Sequence, residues 1–547
     1  MYIVELNEIG YRPAGRAVLK SLSWNIGDRE RIGLVGPNGA GKSSLMNIIA
    51  GEIEADDGFL SKKRDLRVGS LHQDVNLPPG TTLIEAAMVR PPALEEVEDE
   101  LARIESQLAD RAVYGDEGKL ARALARQARI LERYEELGGG AHPSRVRSML
   151  GQLGFNEADY DLPVEVLSGG QKKLVALVSL AVATPGLLLL DEPDNHLDVT
   201  TKQHLETFIR AYPGSVVIVS HDRYLLDSAV DVIVELNHGS VEVYLGNYSA
   251  YTSERELRRL RQQQKFADQQ KEVARIEASI ARFELWASMV VNERHIKQAR
   301  SRRKQLDRME ASDTWVEKVD ADRQLRFSIA GGRGSRKALE VKGLTAAFDD
   351  DLIFEEIDLL VRHGERVGLV GRNGCGKSVL FRMILGELAP YEGSVTIGPS
   401  TRVGYYSQEH ETLDKWMHRS PLEFVRDTAP MEEGAAVSLL MRFLFSYDQL
   451  RQPIENFSGG ERSRLQLARI MLEKPNLLLL DEPTNNLDIG SVEVLESVLD
   501  DFEGAILTIS HDRYFLDTVV DRVVAMGDEG LVGYAGGYTD YVAAAMP

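Results

Sequence analysis

The loop Gly36-Pro37-Asn38-Gly39-Ala40-Gly41-Lys42-Ser43 has a second version in the other half of the chain, Gly371-Arg372-Asn373-Gly374-Cys375-Gly376-Lys377-Ser378. Both fit G-x-x-x-x-G-K-[ST]. Each follows a strand-like apolar run (Ile32–Val35, Val367–Val370) and opens a helix-like one (Ser44–Ala50, Val379–Leu385). Such a strand–loop–helix unit lets backbone N–H groups converge on phosphates at a helix N-terminus. Lys42 and Lys377 are placed to reach the β- and γ-phosphates, and Ser43 and Ser378 to ligate Mg²⁺. A chain of 547 residues is too long for one core, so two units of this kind are expected.

Further motifs recur in the same order. Leu187–Glu192 and Leu477–Glu482 read as buried strands running out into two carboxylates. Ser168-Gly169-Gly170-Gln171 and Ser458-Gly459-Gly460-Glu461 read as turns that start helices, and Ser220-His221-Asp222 and Ser510-His511-Asp512 end apolar strands. Lys42 to Gln73 and Lys377 to Gln408 both span 31 positions. Ser168 to Asp191 and Ser458 to Asp481 both span 23, and Asp191 to His221 and Asp481 to His511 both span 30. Only the glutamine-to-serine interval differs, 95 against 50, which predicts a duplication with 45 residues inserted in the first copy.

On these residues the chain resembles the ATP-binding-cassette (ABC) ATPases along nearly all its length. Within them it resembles the ABC-F group most, through Asp481-Glu482-Pro483-Thr484-Asn485-Asn486-Leu487-Asp488 and Ser510-His511-Asp512-Arg513-Tyr514-Phe515-Leu516-Asp517. The resemblance implies an α/β fold: two tandem ABC-type P-loop nucleotide-binding domains joined by an α-helical hairpin linker. Each domain would have a RecA-like core, an antiparallel β subdomain and a helical subdomain. The expected boundaries are 1–247 for the first domain, with a helical arm inserted within about 83–142, 248–336 for the linker, and 337–547 for the second domain.

The resemblance also implies two ATP molecules with Mg²⁺. Contacts are expected from the two loops, including Ser44 and Val379, and from Tyr11 and Phe348 as adenine-stacking rings. Ser43, Gln73 and Asp191 would hold one Mg²⁺, and Ser378, Gln408 and Asp481 the other. Glu192 and Glu482 would orient the attacking water or take its proton, and His221 and His511 would contact the γ-phosphate. In this family the Ser-Gly-Gly turn of one half completes the site of the other. Ser458, Gly459, Gly460 and Glu461 would therefore close on the Lys42 site, and Ser168, Gly169, Gly170 and Gln171 on the Lys377 site, giving a monomer with an internal cassette dimer.

Three departures set the halves apart. Val379 stands where the first half has Ser44, losing a hydroxyl worth about 1 kcal/mol to a phosphate. Asp194 stands where the second half has Thr484, adding charge at the expected seam, and Glu461 stands where the first half has Gln171. Unequal turnover at the two sites is the expected consequence.

The total charge of −21 excludes a uniformly basic nucleic-acid binder but not a local basic element. Residues 252–310 carry 15 Lys/Arg and 9 Asp/Glu without Gly or Pro, a helical pattern with a break near Leu285–Asn292. Its cations gather as Arg294, Lys297, Arg300, Arg302, Arg303, Lys304 and Arg308, a run fit to follow an RNA phosphate backbone. A solvated coiled-coil spacer is the plainer reading of the same composition. In ABC-F proteins this linker enters the ribosomal E site and reaches the P-site tRNA, so the implied partner is the ribosome: rRNA, P-site tRNA and a ribosomal protein near the E site. The implied roles are elongation control, rescue of stalled ribosomes or protection from ribosome-targeting antibiotics.

The stretch Ala93–Leu137 reads as two amphipathic helices, acidic overall, at the position of the ABC-F arm. No apolar run approaches the roughly 18–20 residues of a membrane span. The N-terminus alternates like a strand rather than a signal peptide, and the single cysteine, Cys375, allows no internal disulfide. A cytoplasmic protein without a membrane subunit is expected. The alternatives are a fused ATPase subunit of a transporter, which would associate with a permease, and a chromosome or DNA-repair ATPase.

Overall fold

A computed structural model describes residues 2–545 apart from Arg16, Asp74, 89–91, 137–138, His196, His238, 290–292, 311–333, 349–350, 408–410, Leu444, Asn486 and 528–529. The chain forms two compact units, Met1–Tyr248 together with Leu325–Pro547, and Ser249–Gln324.

The first unit contains one topology twice. In the first half a six-stranded sheet runs Val68–Leu71, Leu187–Asp191, Ser215–Val219, Arg31–Val35, Val232–Asn237, Ser240–Leu245. The second half repeats it as Val403–Tyr406, Leu477–Asp481, Ala505–Ile509, Arg366–Gly371, Arg522–Gly527, Gly530–Ala535. In each sheet all neighbours are parallel except the last pair. The continuous leucines of Leu187–Asp191 and Leu477–Asp481 fit this placement, because an inner parallel strand is covered on both faces. A three-stranded antiparallel sheet accompanies each: Leu19–Gly27, Tyr2–Tyr11, Asp57–Lys62, and Asp351–Arg362, Lys337–Phe348, Glu392–Ile397. In the first half Val4, Leu6 and Ile9 of this sheet bury against Leu34, Leu45, Ile49 and Leu189. The phosphate-loop helix is thereby packed under the small sheet. The expected fold class is found, and the duplication read from spacing is a duplication of architecture.

The inserted segment can be located by its flanks. Helix Leu83–Ala87 and helix Pro421–Thr428 both begin at a reciprocal capping box, at Thr82 with Glu85 and Ser420 with Glu423. Helices His142–Gln152 and Glu433–Arg442 then precede the Ser-Gly-Gly turns. The extra residues of the first half are helices Pro92–Leu108, Arg111–Tyr114 and Glu117–Glu136. The two long ones pair through Val97, Ile104 and Ile130, with Leu101, Ala123 and Tyr134 partly buried against them. Acidity is confined to the first, which holds six Asp/Glu and one Arg; the second holds four Glu and five Lys/Arg.

The second unit consists of helices Tyr248–Met289, whose first residue belongs to the cassette unit, and Glu293–Glu310. At 1.5 Å per residue the longer helix extends about 60 Å. Its continuity follows from the absence of Gly and Pro. Arg303 pairs with Glu284 at 3.0 Å, and Ile276, Ile280 and Ala299 are buried. Among the described residues no helix is long and apolar enough to cross a membrane.

Candidate active sites

The glycines before the two loop lysines, Gly41 and Gly376, have φ of 102° and 98° and start helices Lys42–Ala50 and Lys377–Ile384. A β-carbon there would lie 2.5 Å from Val18 or 2.6 Å from Ile353, so both conformation and space demand glycine. Lys42 Nζ donates to the carbonyls of Gly36 and Pro37 at 2.7 and 3.3 Å. Lys377 Nζ repeats this with Gly371 and Arg372 at 2.8 and 2.9 Å. Ala40 and Cys375 lie within the loops, and Cys375 is half-buried.

At the strand ends Asp191 and Asp481 are buried. The next residues, Glu192 and Glu482, turn into the left-handed region at φ 49° and 47°. Their N–H groups are fixed by the carbonyls of Val219 and Ile509, at 2.8 and 2.9 Å. Side chains other than glycine avoid this conformation at a cost of about 1–3 kcal/mol, and its recurrence marks a constrained site.

Ser168 and Ser458 cap helices Gly169–Ala181 and Gly459–Glu473. Gln171 Oε1 accepts from the Ser168 N–H at 2.9 Å, and Glu461 Oε2 accepts from the Ser458 N–H at 2.8 Å. This explains why Gln and Glu exchange here: either can close the capping box.

The structure brings the halves together around two cavities of about 450 and 490 Å³. The first is lined by Asn38, Gly39, Gly41, Lys42, Ser43, Ser44, Gln73, Glu192 and His221, and from the second half by Ser458, Gly459 and Gly460. The second is lined by Asn373, Gly374, Gly376, Lys377, Ser378, Val379, Asp481, Glu482 and His511, and from the first half by Ser168 and Gly169. Each cavity thus faces one phosphate loop and one opposing helix N-terminus, both of which favour anions. Ser44 lines one wall and Val379 the equivalent wall, so the missing hydroxyl falls on the cavity surface.

Other expected residues fall elsewhere. Tyr11 is half-buried against the cassette core and is not among the lining residues; Val18 lines the first cavity, and Ile353 the second. Phe348 ends its strand opposite Asp351, and its side chain lies outside the described ones. Gln408 also lies outside the described residues. Val18 and Ile353 each stand 18 positions before the first loop glycine, so the repeat itself pointed to them, whereas Tyr11 and Phe348 stand 25 and 23 before it.

Sequence reasoning also left two aspartates without a role. Asp488 Oδ2 accepts from the Asn38 N–H at 3.0 Å across the seam, and Asp198 takes the backbone N–H of Asn373 in the mirror contact. Burial opposes their ionisation, but these bonds and the helix-capping bonds to Ser491 and Thr201 hold both below the usual range. Both lie seven positions after the strand-end aspartate.

Burial pushes the Glu482 carboxyl up to about 8, reinforced by Asp481, while Glu192 is raised by burial and Asp191. Glu192 Oε2 accepts from Gln73 Nε2 at 3.0 Å and Asn195 Nδ2 at 2.5 Å, and Lys173 Nζ donates to the Glu192 carbonyl at 3.0 Å. Glu482 Oε2 instead accepts from the His511 N–H at 3.2 Å. His221 and His511 lie 3.7 and 3.5 Å from the glutamates. Burial, with Lys42 or Lys377 nearby, pushes these imidazoles down to about 4 and about 3, so both are neutral at pH 7.

The raised Glu482 value carries a sign for stability. Glu482 holds its proton in the fold but releases it in the unfolded chain above about 4.5, so stability is lost as pH rises from there through about 8. In EDTA without nucleotide, Tm of the wild type is expected to fall relative to Glu482→Gln between pH 6 and 8.5, by several °C at roughly 2–4 °C per kcal/mol. Parallel Tm profiles would contradict this.

In the linker unit Arg294, Lys297, Arg300, Arg302, Arg303, Lys304 and Arg308 are all exposed along helix Glu293–Glu310. Lys297, Arg300, Lys304 and Arg308 recur at three- and four-residue intervals and share a face. Leu285 and Trp286 are exposed, with Arg282 5.5 Å over the Trp286 ring.

The donor set fits a nucleoside triphosphate with a hard divalent cation: an ammonium and loop N–H groups for phosphates, a serine hydroxyl and a carboxylate for the metal. Comparison with known proteins agrees. A family model described as ABC transporter matches residues 19–195 and 354–485, and a second of the same description matches 234–327. The putative ATP-binding protein YdiF of Bacillus subtilis (strain 168) is 35% identical over 544 residues, covering 99% of this chain and 82% of that protein. The probable ATP-binding protein YheS of Escherichia coli (strain K12) is 33% identical over 98% of this chain and 81% of its own length. ABC transporter F family member 2 of Arabidopsis thaliana is 32% identical over 98% and 78%. Among solved structures, an archaeal ribosome recycling factor bound to a ribosomal stalk protein shares the fold, with TM-score 0.61 and 19% identity over 98% of this chain and 92% of that one. The chain, with two cassettes of the P-loop ATPase type and this kinship along nearly all of its own length, belongs to the ABC-F family of ATP-binding-cassette proteins.

Proposed function

We propose that the protein is an ATP-switched ribosome-binding factor, with cassettes at 1–247 and 337–547, that engages the ribosome when ATP·Mg²⁺ fills both seam sites and leaves after hydrolysis. The observation that carries the switch is the pairing of each phosphate loop with the Ser-Gly-Gly helix of the opposite half. A triphosphate held there neutralises two anion-seeking surfaces at once and so favours closure. Ser43 with Asp191 and Ser378 with Asp481 would hold Mg²⁺, which would supply positive charge against that developing on the phosphates; Gln73 and Gln408 are the remaining candidates. Lys42 and Lys377 bind the terminal phosphates. Glu192 and Glu482 orient the attacking water and accept its proton, Glu482 doing so once a divalent cation beside Asp481 favours its ionised form over the protonated one of the empty site, and His221 and His511, neutral at pH 7, position the γ-phosphate.

Ribosome binding is supported by the exposed basic helix Glu293–Glu310 in a chain of net charge −21. Cations on one helix face suit an RNA backbone. The archaeal fold relative is described as a ribosome recycling factor, and a second fold relative as ribosome-bound, which agrees with this reading. Ribosome pelleting of the Glu192→Gln/Glu482→Gln protein tests it. Strong cosedimentation is expected with ATP and weak cosedimentation with ADP, and Arg300→Glu/Arg303→Glu/Lys304→Glu should abolish the ATP-dependent fraction. Failure to pellet with either nucleotide would remove the ribosome reading and leave the ATPase intact.

A further inference from the structure

Among the described residues the two glutamates have different partners, and one buried pair of the first half has no equivalent in the second. Asp194 and Lys202 of the first half are 4% and 8% exposed, and the second half carries Thr484 and Val492 at the equivalent places. Lys202 projects from helix Val199–Ala211 and lines both cavities. Its Nζ lies 2.9 Å from Asp222 Oδ2 and donates across the seam to the His511 carbonyl at 3.1 Å. Asp194 stands beside it, bonded to Ser220. His511 is therefore held from two sides: its carbonyl by Lys202, and its N–H by Glu482 Oε2 at 3.2 Å.

We propose that Lys202 is a positioning residue for the second site, anchoring His511 from the opposite half so that its amide and imidazole hold Glu482 in register with the attacking water. This rests on the reading of Glu482 as the water-orienting carboxylate. Among the described residues the first site shows no counterpart of this anchor, since Val492, at the place of Lys202, has no donor to offer the His221 carbonyl. Glu192 is tied within its own half, through Lys173, Gln73 and Asn195. The second half has Ser463 where Lys173 stands. Hydrolysis at the second site then requires the first-half helix Val199–Ala211 to be docked on the seam, while hydrolysis at the first site does not require this ammonium.

Lys202→Val alone would strand two buried carboxylates, so the test exchanges the pair. Asp194→Thr/Lys202→Val installs what the other half already uses. Each site is read alone, the second in a Glu192→Gln background and the first in a Glu482→Gln background, with the Glu192→Gln/Glu482→Gln protein as baseline. In the first background kcat is expected to fall by about tenfold or more with KM for ATP within about twofold; in the second both stay within about twofold. Equal falls in the two backgrounds, no fall in either, or a fall confined to the first site would overturn the proposal. The pair Asp194→Asn/Lys202→Met, which nearly keeps the volume but removes the donor, is read the same way and covers poor folding of the first variant. Hydrolysis persisting in the baseline protein would instead overturn the glutamate reading beneath it. No ribosome enters the assay, so the outcome is independent of the proposed partner.

Discussion

Replacing Glu192 and Glu482 together by glutamine is expected to lower ATP hydrolysis by about 10²–10⁴-fold, the range general-base assistance supplies. ATP binding should survive, since the amide keeps the shape and the phosphate-holding groups are untouched. The strand-end geometry is the reason for expecting so large an effect. Each glutamate follows a buried aspartate, sits at positive φ, and is fixed through its own N–H to the neighbouring strand. A side chain held this rigidly at the cavity wall has little scope for replacement by a mobile neighbour. Phosphate release in single-turnover assays, with nucleotide binding measured in parallel, checks it. Hydrolysis within about threefold of wild type would mean that another group serves the water.

The second large effect concerns the seam. Arg223 and Arg513 are each 4% or less exposed. Arg513 bonds Glu206 of the opposite half, lies 3.7 Å from Asp222, and stands 4.7 Å over the Tyr224 ring. Arg223 repeats every contact, with Glu496, Asp512 at 3.8 Å and the Tyr514 ring at 4.5 Å. The two tyrosines meet edge to face at 5.7 Å. The arrangement is self-complementary, like an isologous dimer interface within one chain. Burial opposes ionisation of Asp222, yet Lys202 and Arg513 hold it down to about 2. Removing one arginine leaves buried carboxylates uncompensated, which costs about 3–5 kcal/mol. Arg513→Ala and Arg223→Ala are therefore expected to lower the urea midpoint sharply without nucleotide. Pairing Arg513→Ala with Glu206→Ala should recover part of the loss, with a coupling of about 1–3 kcal/mol. Wild-type midpoints for both single variants would refute the seam's role.

Much of the site was legible because the chain carries its own comparison. Residues at one offset in two copies, such as Lys42 with Lys377 or His221 with His511, are hard to attribute to packing. The same rule applied more widely picks out Val18, Ile353, Asp198 and Asp488, which the reading missed because the place the resembled family gives an aromatic ring drew attention to Tyr11 and Phe348 instead. The rule fails where the halves differ. Asp194 read as an added charge at the seam, and only the structure paired it with Lys202, eight positions on and one helical face away from view.

The sequence by itself determined the repeated α/β architecture, the two phosphate loops, the helical linker and the insertion, since these are local signals: turn glycines, apolar strands, capping boxes and spacing. Only the tertiary structure decided which half completes which site at the level of contacts, how buried Arg223, Arg513 and Lys202 are compensated, and why Glu482 is raised to about 8. Those properties depend on which groups meet across the seam and how far water is excluded there. Neither is encoded in any one segment, because Arg223 and Arg513 meet their carboxylates 273 and 307 positions away, and Lys202, charge-paired within its own half, donates to a carbonyl 309 positions away.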